Sequence, residues 1–184
     1  MRRTTLAALA LTGALVTSAC SGDPSPPTAA SSASTTSAAS VESLVQTGLT
    51  QLGAGDAEQA GATFRTVLDQ DAGNVYAHYN LGVIAEAAGD TATAATEYDN
   101  ALATDPAFAP ALFNRGVLHE PEDLDQAVRL YRRALAADPD LAAAHMRLGF
   151  ALLHRGERAE AEEHLAAGVR LDPAMAGAEA PSYD

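Results

Sequence analysis

The sequence contains no lysine and no tryptophan, and it has a single cysteine among its 184 residues. Without a lysine amine the chain forms no Schiff base, no pyridoxal site and no phosphate-binding loop of the Walker type. A lone cysteine forms no disulfide within the chain. The 11 basic residues are all arginines and face 24 acidic residues, which gives a formal charge of −13. A surface this acidic repels nucleic acid and anionic lipid headgroups, so we expect neither as a partner.

Signatures of common catalytic sites are also missing, including G-x-S-x-G, H-E-x-x-H and C-x-x-C. One spacing suits a metal ligand pair, because Glu160 and His164 lie one helical turn apart. The same spacing is equally that of an exposed side-chain pair on a helix, which is the interpretation we favour. We therefore expect no enzyme activity, no metal and no cofactor.

The N-terminus has the three parts of an export signal. Arg2 and Arg3 give a positive start, an uncharged and mostly apolar run follows from Leu6 to Val16, and small residues lead to Cys20. The apolar run is too short to cross a bilayer comfortably. Residues 1–19 are therefore predicted to be a cleaved signal peptide.

The stretch Leu15-Val16-Thr17-Ser18-Ala19-Cys20 resembles a bacterial lipobox. The resemblance implies cleavage before Cys20 and attachment of a diacylglyceryl group to its sulfur, so that the protein is lipid-anchored on the outer side of the cytoplasmic membrane. The alternative is an ordinary signal peptide and a freely secreted protein. Residues 20–40 begin with the lipidated cysteine and continue almost entirely in Ser, Thr, Pro and Ala, which predicts a disordered tether.

The rest of the chain repeats itself with a period of 33 or 34 residues. Four kinds of residue recur at these steps: glycine, alanine, a large apolar or aromatic residue, and aspartate. The four sets are Gly48, Gly82, Gly116 and Gly149; Ala60, Ala94, Ala127 and Ala161; Phe64, Tyr98, Tyr131 and Leu165; and Asp71, Asp105, Asp138 and Asp172. A period in this range indicates a stacked array of small units.

Within the second unit, the pattern predicts a helix over 75–88, a turn at Gly89-Asp90 and a second helix over 91–104. Glycine suits the left-handed conformation of a tight turn, and the proline after Asp105 ends the second helix. The small residues Gly82 and Ala94 are expected where the paired helices cross closely.

This unit resembles the tetratricopeptide repeat. The matching residues are Leu81-Gly82, Ala94, Tyr98, Ala101 and Pro106, and again Leu148-Gly149, Ala161, Leu165 and Pro173. The chain is identified as a member of that family with repeats 41–74, 75–108, 109–141 and 142–175, and residues 176–184 are predicted to be a disordered tail. The resemblance implies an all-α solenoid of four helix-turn-helix repeats, whose eight antiparallel helices wind into a right-handed superhelix.

The family geometry also implies a concave groove lined by the first helix of each repeat. When the sequence is placed on this geometry, each of three successive repeats has one polar position in the groove with an apolar position on either side. These candidate peptide-binding residues are Asn80, Asn114 and Arg147, with Tyr79, Phe113 and Met146 on one side and Val83, Val117 and Phe150 on the other. Asparagine pairs with the backbone of an extended peptide, and arginine binds a carboxylate. The alternative is that the apolar residues are the core between repeats.

Together these patterns predict a membrane-tethered adaptor or scaffold outside the cytoplasm that binds a protein or peptide segment in its groove. The alternative is an accessory lipoprotein that binds a small molecule or a glycan in the same place. The membrane is expected to hold the protein through the lipid only.

The lipid anchor can be tested directly at Cys20. In cells fed a labelled fatty acid, we expect the wild-type protein to become labelled and to sediment with membranes, because two acyl chains give stable anchoring. The Cys20→Ser variant should carry no label and leave the membrane fraction. An unlabelled wild-type protein in the culture medium would instead establish the freely secreted form.

Overall fold

The structure is a computed structural model that describes residues 30–183, with side chains from residue 40 onward. The signal peptide predicted at 1–19, the lipid site Cys20 and the beginning of the tether lie outside the described residues. Residues 30–183 form eight α-helices and a short 3-10 helix at Pro173–Gly177, without a strand. The α-helices are α1 Ala30–Gly53, α2 Ala57–Gln70, α3 Val75–Ala87, α4 Thr91–Thr104, α5 Ala109–His119, α6 Leu124–Ala137, α7 Ala142–His154 and α8 Arg158–Leu171.

Each helix packs mainly against the helix before it and the helix after it in the chain. The tightest contacts join α1 to α2, α3 to α4, α5 to α6 and α7 to α8, and these four hairpins then stack in order. The predicted all-α solenoid of four helix-turn-helix repeats is therefore confirmed. None of the helices in the described part of the chain is long and apolar enough to cross a membrane.

The predicted limits of the repeats agree with the helices, except at the N-terminus. Helices α3, α5 and α7 begin at Val75, Ala109 and Ala142, where the last three repeats were predicted to begin. The first helix begins at Ala30, so the part of the predicted tether over 30–40 is helical rather than disordered. This stretch contains several alanines and neither glycine nor proline, so nothing in its sequence stops a helix that continues backwards from the repeat.

Three of the four turns between paired helices contain a glycine in the left-handed region. Gly55, Gly89 and Gly156 have φ angles of 86°, 79° and 82°. Only glycine adopts this conformation without strain, which explains its place in the sequence. The turn of the third repeat uses other residues, and there the side chain of Asp123 accepts a hydrogen bond of 2.8 Å from the backbone N–H of Gln126 at the start of α6.

The recurring glycines lie beneath the recurring large residues, so one contact holds each hairpin together. A Cβ atom on Gly82 would lie 2.5 Å from the ring of Tyr98, and one on Gly116 would lie 2.5 Å from the ring of Tyr131. Phe64 and Leu165 fill the same place over Gly48 and Gly149. The three rings are fully buried. The first helix of each repeat therefore gives up a side chain so that the second can pack a large group against its backbone.

The segment after α8 is ordered, although residues 176–184 were predicted to be a disordered tail. Residues 178–183 continue the 3-10 helix as extended chain, and the Tyr183 ring packs against a buried cluster that includes Tyr131 and Leu152. The prediction failed because it counted the glycine and proline of the segment and overlooked its tyrosine, whose ring offers enough apolar surface to hold a short chain.

The contact between glycine and ring predicts a large penalty for a single methyl group. Gly116→Ala should lower the free energy of unfolding by about 1–3 kcal/mol, because the buried Tyr131 ring has no room to move away. Gly53→Ala is the matched control: it lies in α1 with nothing within 4 Å of the new Cβ, and should be neutral or slightly stabilising. Urea unfolding monitored by circular dichroism gives both values. Equal stability of the two variants would contradict this packing.

Candidate protein-binding groove

The nine predicted groove residues lie on three consecutive first helices, α3, α5 and α7. They occupy the same three positions in each repeat, so the stacking of repeats brings them to one side of the solenoid. None of the nine is exposed: Asn80 and Met146 are buried, and the other seven are partly buried. The predicted residues therefore form the floor of the groove.

The aromatic members of this floor are also part of the core between helices. The Tyr79 ring lies 5.9 Å from the Tyr98 ring and 5.4 Å, edge to face, from the Phe108 ring. The Phe113 ring in α5 lies 5.7 Å from the Tyr131 ring in α6 of the same hairpin. These aromatic side chains therefore pack the helices together, as the second interpretation of the sequence expects, and their role in binding a peptide stays a prediction.

The polar member of α5 joins a chain of hydrogen bonds across the second and third repeats. The Tyr98 hydroxyl donates to Oε2 of Glu86 at 2.6 Å, and Nδ2 of Asn114 donates to the same hydroxyl at 3.1 Å. Glu86 and Tyr98 belong to α3 and α4, whereas Asn114 belongs to the next repeat. The Asn114 amide therefore joins two repeats and has less capacity left for a ligand.

The same arrangement recurs one repeat later with an arginine in place of the asparagine. The Tyr131 hydroxyl donates to Oε1 of Glu120 at 2.6 Å, and Nη1 of Arg147 donates to Oε2 of Glu120 at 2.7 Å. The Glu120 side chain is only 7% exposed, whereas that of Arg147 is 36% exposed. Arg147 thus neutralises a buried carboxylate and still presents part of its guanidinium to the groove.

The two outer repeats lack this polar chain. Where the inner repeats have Tyr98 with Glu86, the first repeat has Phe64 with Leu52. Asn80, which follows that first repeat, has no hydroxyl to bind and donates to the Tyr76 carbonyl of its own helix at 2.7 Å. Sequence reasoning missed the two glutamates, although the signal was available: both follow the recurring glycine by four residues.

Burial and the nearby carboxylates change the pKa values of the two tyrosines in these hydrogen-bond chains. The pKa values of Tyr98 and Tyr131 are raised, first because burial disfavours the phenolate and second because each hydroxyl donates to a glutamate. Both hydroxyls therefore stay protonated and act as permanent donors. Each hydroxyl joins two helices through its hydrogen bond to a glutamate, which gives it a structural role.

The half of the groove over α1 and α3 is open and carries exposed apolar side chains that the sequence analysis did not select. Leu49 is 39% exposed and Tyr76 is 55% exposed. Leu49 occupies the position of Val83 in the repeat before it, and Tyr76 leans edge to face on Phe108 with ring centres 5.6 Å apart. Exposed apolar groups that lie together are typical of a binding surface, so these two side chains are candidates for one.

The half of the groove over α5 and α7 is covered by the chain's own C-terminal segment. Between this segment and the two helices lies a pocket of about 450 Å³ that is partly open to solvent. The residues that line it are Phe113, Ala143, Met146, Arg147, Phe150, Met175, Ala178, Glu179 and Pro181. The structure thus brings four of the nine predicted groove residues together around one space.

The histidines join helices and form no metal centre among the described residues. Nδ1 of His145 lies 2.8 Å from Nδ1 of His164, and Nε2 of His145 lies 3.0 Å from the Pro139 carbonyl oxygen. Burial and the neighbouring His145 lower the pKa of His164. Glu160, one helical turn before His164, has its Oε1 3.8 Å from Nε2 of His164 and accepts a hydrogen bond of 2.8 Å from Arg132. At the same place in the second repeat, Nδ1 of His78 lies 2.7 Å from Glu97.

Comparisons with known proteins agree with this architecture. Two sequence models of the tetratricopeptide repeat match residues 45–110 and 118–180. The type IV pilus assembly protein PilF of Pseudomonas aeruginosa is 31% identical over 137 residues, which are 71% of this chain and 53% of PilF. The chain therefore spans about half the length of this curated relative.

Solved structures give the same result. A structure of PilF from Pseudomonas aeruginosa superimposes with a TM-score of 0.66 at 27% identity, covering 74% of this chain and 63% of the PilF chain. MamA from Desulfovibrio magneticus RS-1 superimposes with a TM-score of 0.58 at 24% identity, covering 74% of this chain and 78% of MamA. At that identity the second likeness shows a shared fold.

The hydrogen-bond chain predicts coupling between Tyr98 and Glu86. Tyr98→Phe and Glu86→Leu should each lower the free energy of unfolding by about 1–3 kcal/mol, because each leaves a partner without its hydrogen bond. The double variant recreates the pair of the first repeat, Phe64 with Leu52, and should lose less than the sum of the two by about 0.5–3 kcal/mol. Urea unfolding of all four proteins measures the coupling. Simple additivity would show that the hydroxyl and the carboxylate act independently.

Proposed function

This chain belongs to the tetratricopeptide-repeat family, and we propose that it is an adaptor that binds an extended segment of a partner protein in the groove of its first helices. In this proposal the domain works outside the cytoplasmic membrane, held there by a lipid on Cys20. Proteins built from this repeat generally mediate interactions with other proteins. The repeat is also typically a non-catalytic scaffold, in keeping with the missing lysine and the absent catalytic motifs.

The observation that carries the proposal is the open half of the groove. There Leu49 and Tyr76 expose large apolar surfaces, while the floor beneath them is fixed by ring packing and by the bond from Asn80 to its own helix. A rigid floor lowers the entropy lost on binding, and exposed aromatic groups provide anchoring contacts. A protein segment that covers both side chains would remove them from water.

The relative's name supports a role in assembly. PilF is a type IV pilus assembly protein, and it is 31% identical to this chain over 137 aligned residues. We propose that this chain likewise holds an envelope protein during assembly. The partner itself is left to experiment, since the chain spans only 53% of PilF.

The export signal supports the place of action. The lipobox-like stretch ends at Cys20, and the repeats begin beyond a segment rich in serine, threonine and alanine. An anchor followed by such a segment would keep the groove close to the membrane surface and raise the local concentration of membrane-bound partners.

A small-molecule site is the second candidate, because the cavity of about 450 Å³ under the C-terminal segment has the size of a ligand pocket. Its lining is mostly apolar, with Arg147 as the one basic group. A thermal-shift screen against small molecules and glycans discriminates the two functions. Stabilisation by one of these compounds would favour the accessory-lipoprotein function, whereas an adaptor should respond to a protein partner.

Site-specific photo-crosslinking in living cells tests the adaptor function. Crosslinking amino acids placed at Leu49 and at Tyr76 should each trap the same partner protein, because both side chains point away from the core of the open half. The controls are Thr66 and Thr96, which are exposed on the second helices α2 and α4 and bond only to their own helices. Mass spectrometry identifies the trapped protein.

This design avoids the predicted polar residues for a physical reason. Asn114 and Arg147 hold Tyr98 and Glu120, so replacing them would disturb the scaffold as well as the groove. A partner trapped from the first helices and not from the second would establish the groove as the interface. Equal trapping from all four sites, or from none, would refute the proposed groove.

A further inference from the structure

The C-terminal segment over 173–183, called here the tail segment, follows the groove side of α7. It begins where α8 ends, with Oδ1 of Asp172 accepting a hydrogen bond of 3.0 Å from the Ala174 N–H. Beyond the 3-10 helix it is extended from Ala178, whose φ and ψ angles are −66° and 133°. Near its start it lines one cavity with Ala143 in the first turn of α7, and at its end it reaches the last residue of α7.

The far end of the tail segment is anchored by Tyr183. Its ring lies 5.2 Å from the ring of His154, the last residue of α7, and packs on the buried cluster around Tyr131. Burial raises the pKa of Tyr183, and the negative charge of Glu120 raises it further. The Tyr183 ring is therefore close enough to the ion pair of Glu120 and Arg147 for their charges to act on its hydroxyl.

Three features show that this occupant fits imperfectly. The Tyr183 hydroxyl is buried and has no hydrogen-bond partner in the described part of the chain. Within the same range, residues 179–183 form no backbone hydrogen bond with the groove. A pocket of about 450 Å³, partly open to solvent, remains between the segment and the helices. An unpaired buried hydroxyl and an unfilled pocket both weaken binding, so residues 179–183 are held against the groove by side-chain packing without backbone hydrogen bonds to it.

We propose that the tail segment is a displaceable resident of the groove over α5 and α7, and that a partner binds there by replacing it with an extended segment whose aromatic residue takes the place of Tyr183. The identity of the partner rests on the proposed function, whereas occupancy of the groove by the tail segment does not. The tail segment then lowers the apparent affinity for a partner, because a partner binds only to the fraction of molecules whose groove is free.

The chemistry of the tail segment indicates which partner fits. It is extended, its residues against the groove are Met175, Ala178 and Pro181, and a tyrosine ends the contact. A competing segment needs the same small apolar residues and the ring. A competing segment would bind more tightly if its polar group at the place of the Tyr183 hydroxyl found a hydrogen-bond partner, or if it had no polar atom there.

The test uses the tail segment itself as the probe. A fluorescein-labelled peptide of residues 173–184 is titrated with the full chain carrying Cys20→Ser, and binding is measured by fluorescence anisotropy. Relative to that protein, additional Tyr183→Ala should raise the affinity roughly tenfold or more, because the resident loses its anchor and the groove opens. Tyr183→Phe should lower the affinity about tenfold, because the resident loses its unpaired hydroxyl and binds more firmly.

Two further variants serve as controls. Thr96→Ala removes a hydroxyl that is exposed on the second helix α4 and bonds to that helix, and it should leave the affinity unchanged. Pro181→Gly loosens the tail segment through the entropy of the free chain and should raise the affinity, as Tyr183→Ala does. Circular dichroism checks that each variant is folded, and Pro181→Gly replaces Tyr183→Ala if the latter is not.

The order Ala, Tyr, Phe from the highest to the lowest affinity at residue 183 establishes a displaceable resident with an unpaired hydroxyl. Equal affinity of Tyr183→Ala, Pro181→Gly and their parent, or no binding to any of them, would overturn the proposal. The assay needs no partner, so the adaptor function and the tail segment can fail separately. Crosslinks from Leu49 and Tyr76 report on the first, and the peptide titration reports on the second.

Discussion

The structure depends on one contact repeated four times, in which a large side chain of the second helix lies against a glycine of the first. A Cβ atom at these glycines would approach the ring or side chain within 2.5–2.7 Å. Because helices at this distance admit no other pairing, the glycine and the large residue set the register of each hairpin. The hairpins then stack through their remaining faces, and because each hairpin contacts only its neighbours, the result is a solenoid.

The inner repeats add a polar chain to this contact, and the outer repeats omit it. Tyr98 and Tyr131 carry hydroxyls that reach Glu86 and Glu120, and the next repeat supplies a donor to each pair, Arg147 in the second case. Buried polar groups specify one arrangement when every member is satisfied. The floor of the groove is therefore held by its own hydrogen bonds, and specificity for a partner falls to the exposed side chains around it.

The two halves of the groove differ in what covers them. The half with Leu49 and Tyr76 is open to water, whereas the half next to α7 is filled by a segment that leaves a cavity and an unpaired Tyr183 hydroxyl. An adaptor arranged in this way would engage a partner first through the open half and then extend the contact by displacing the segment.

The sequence by itself determined the fold, since a period of 33 or 34 residues in glycine, alanine, a large side chain and aspartate leaves few arrangements other than stacked hairpins. The sequence also located the face of the first helices that carries the candidate groove residues, because these residues occupy equivalent positions in successive repeats. Only the tertiary structure decided which groups on this face are free: Asn114 and Arg147 bond to residues 16 and 27 positions away. The docking of Tyr183 was likewise invisible, because a ring at the end of a short tail follows no periodicity and finds its place only when distant helices have already formed the groove.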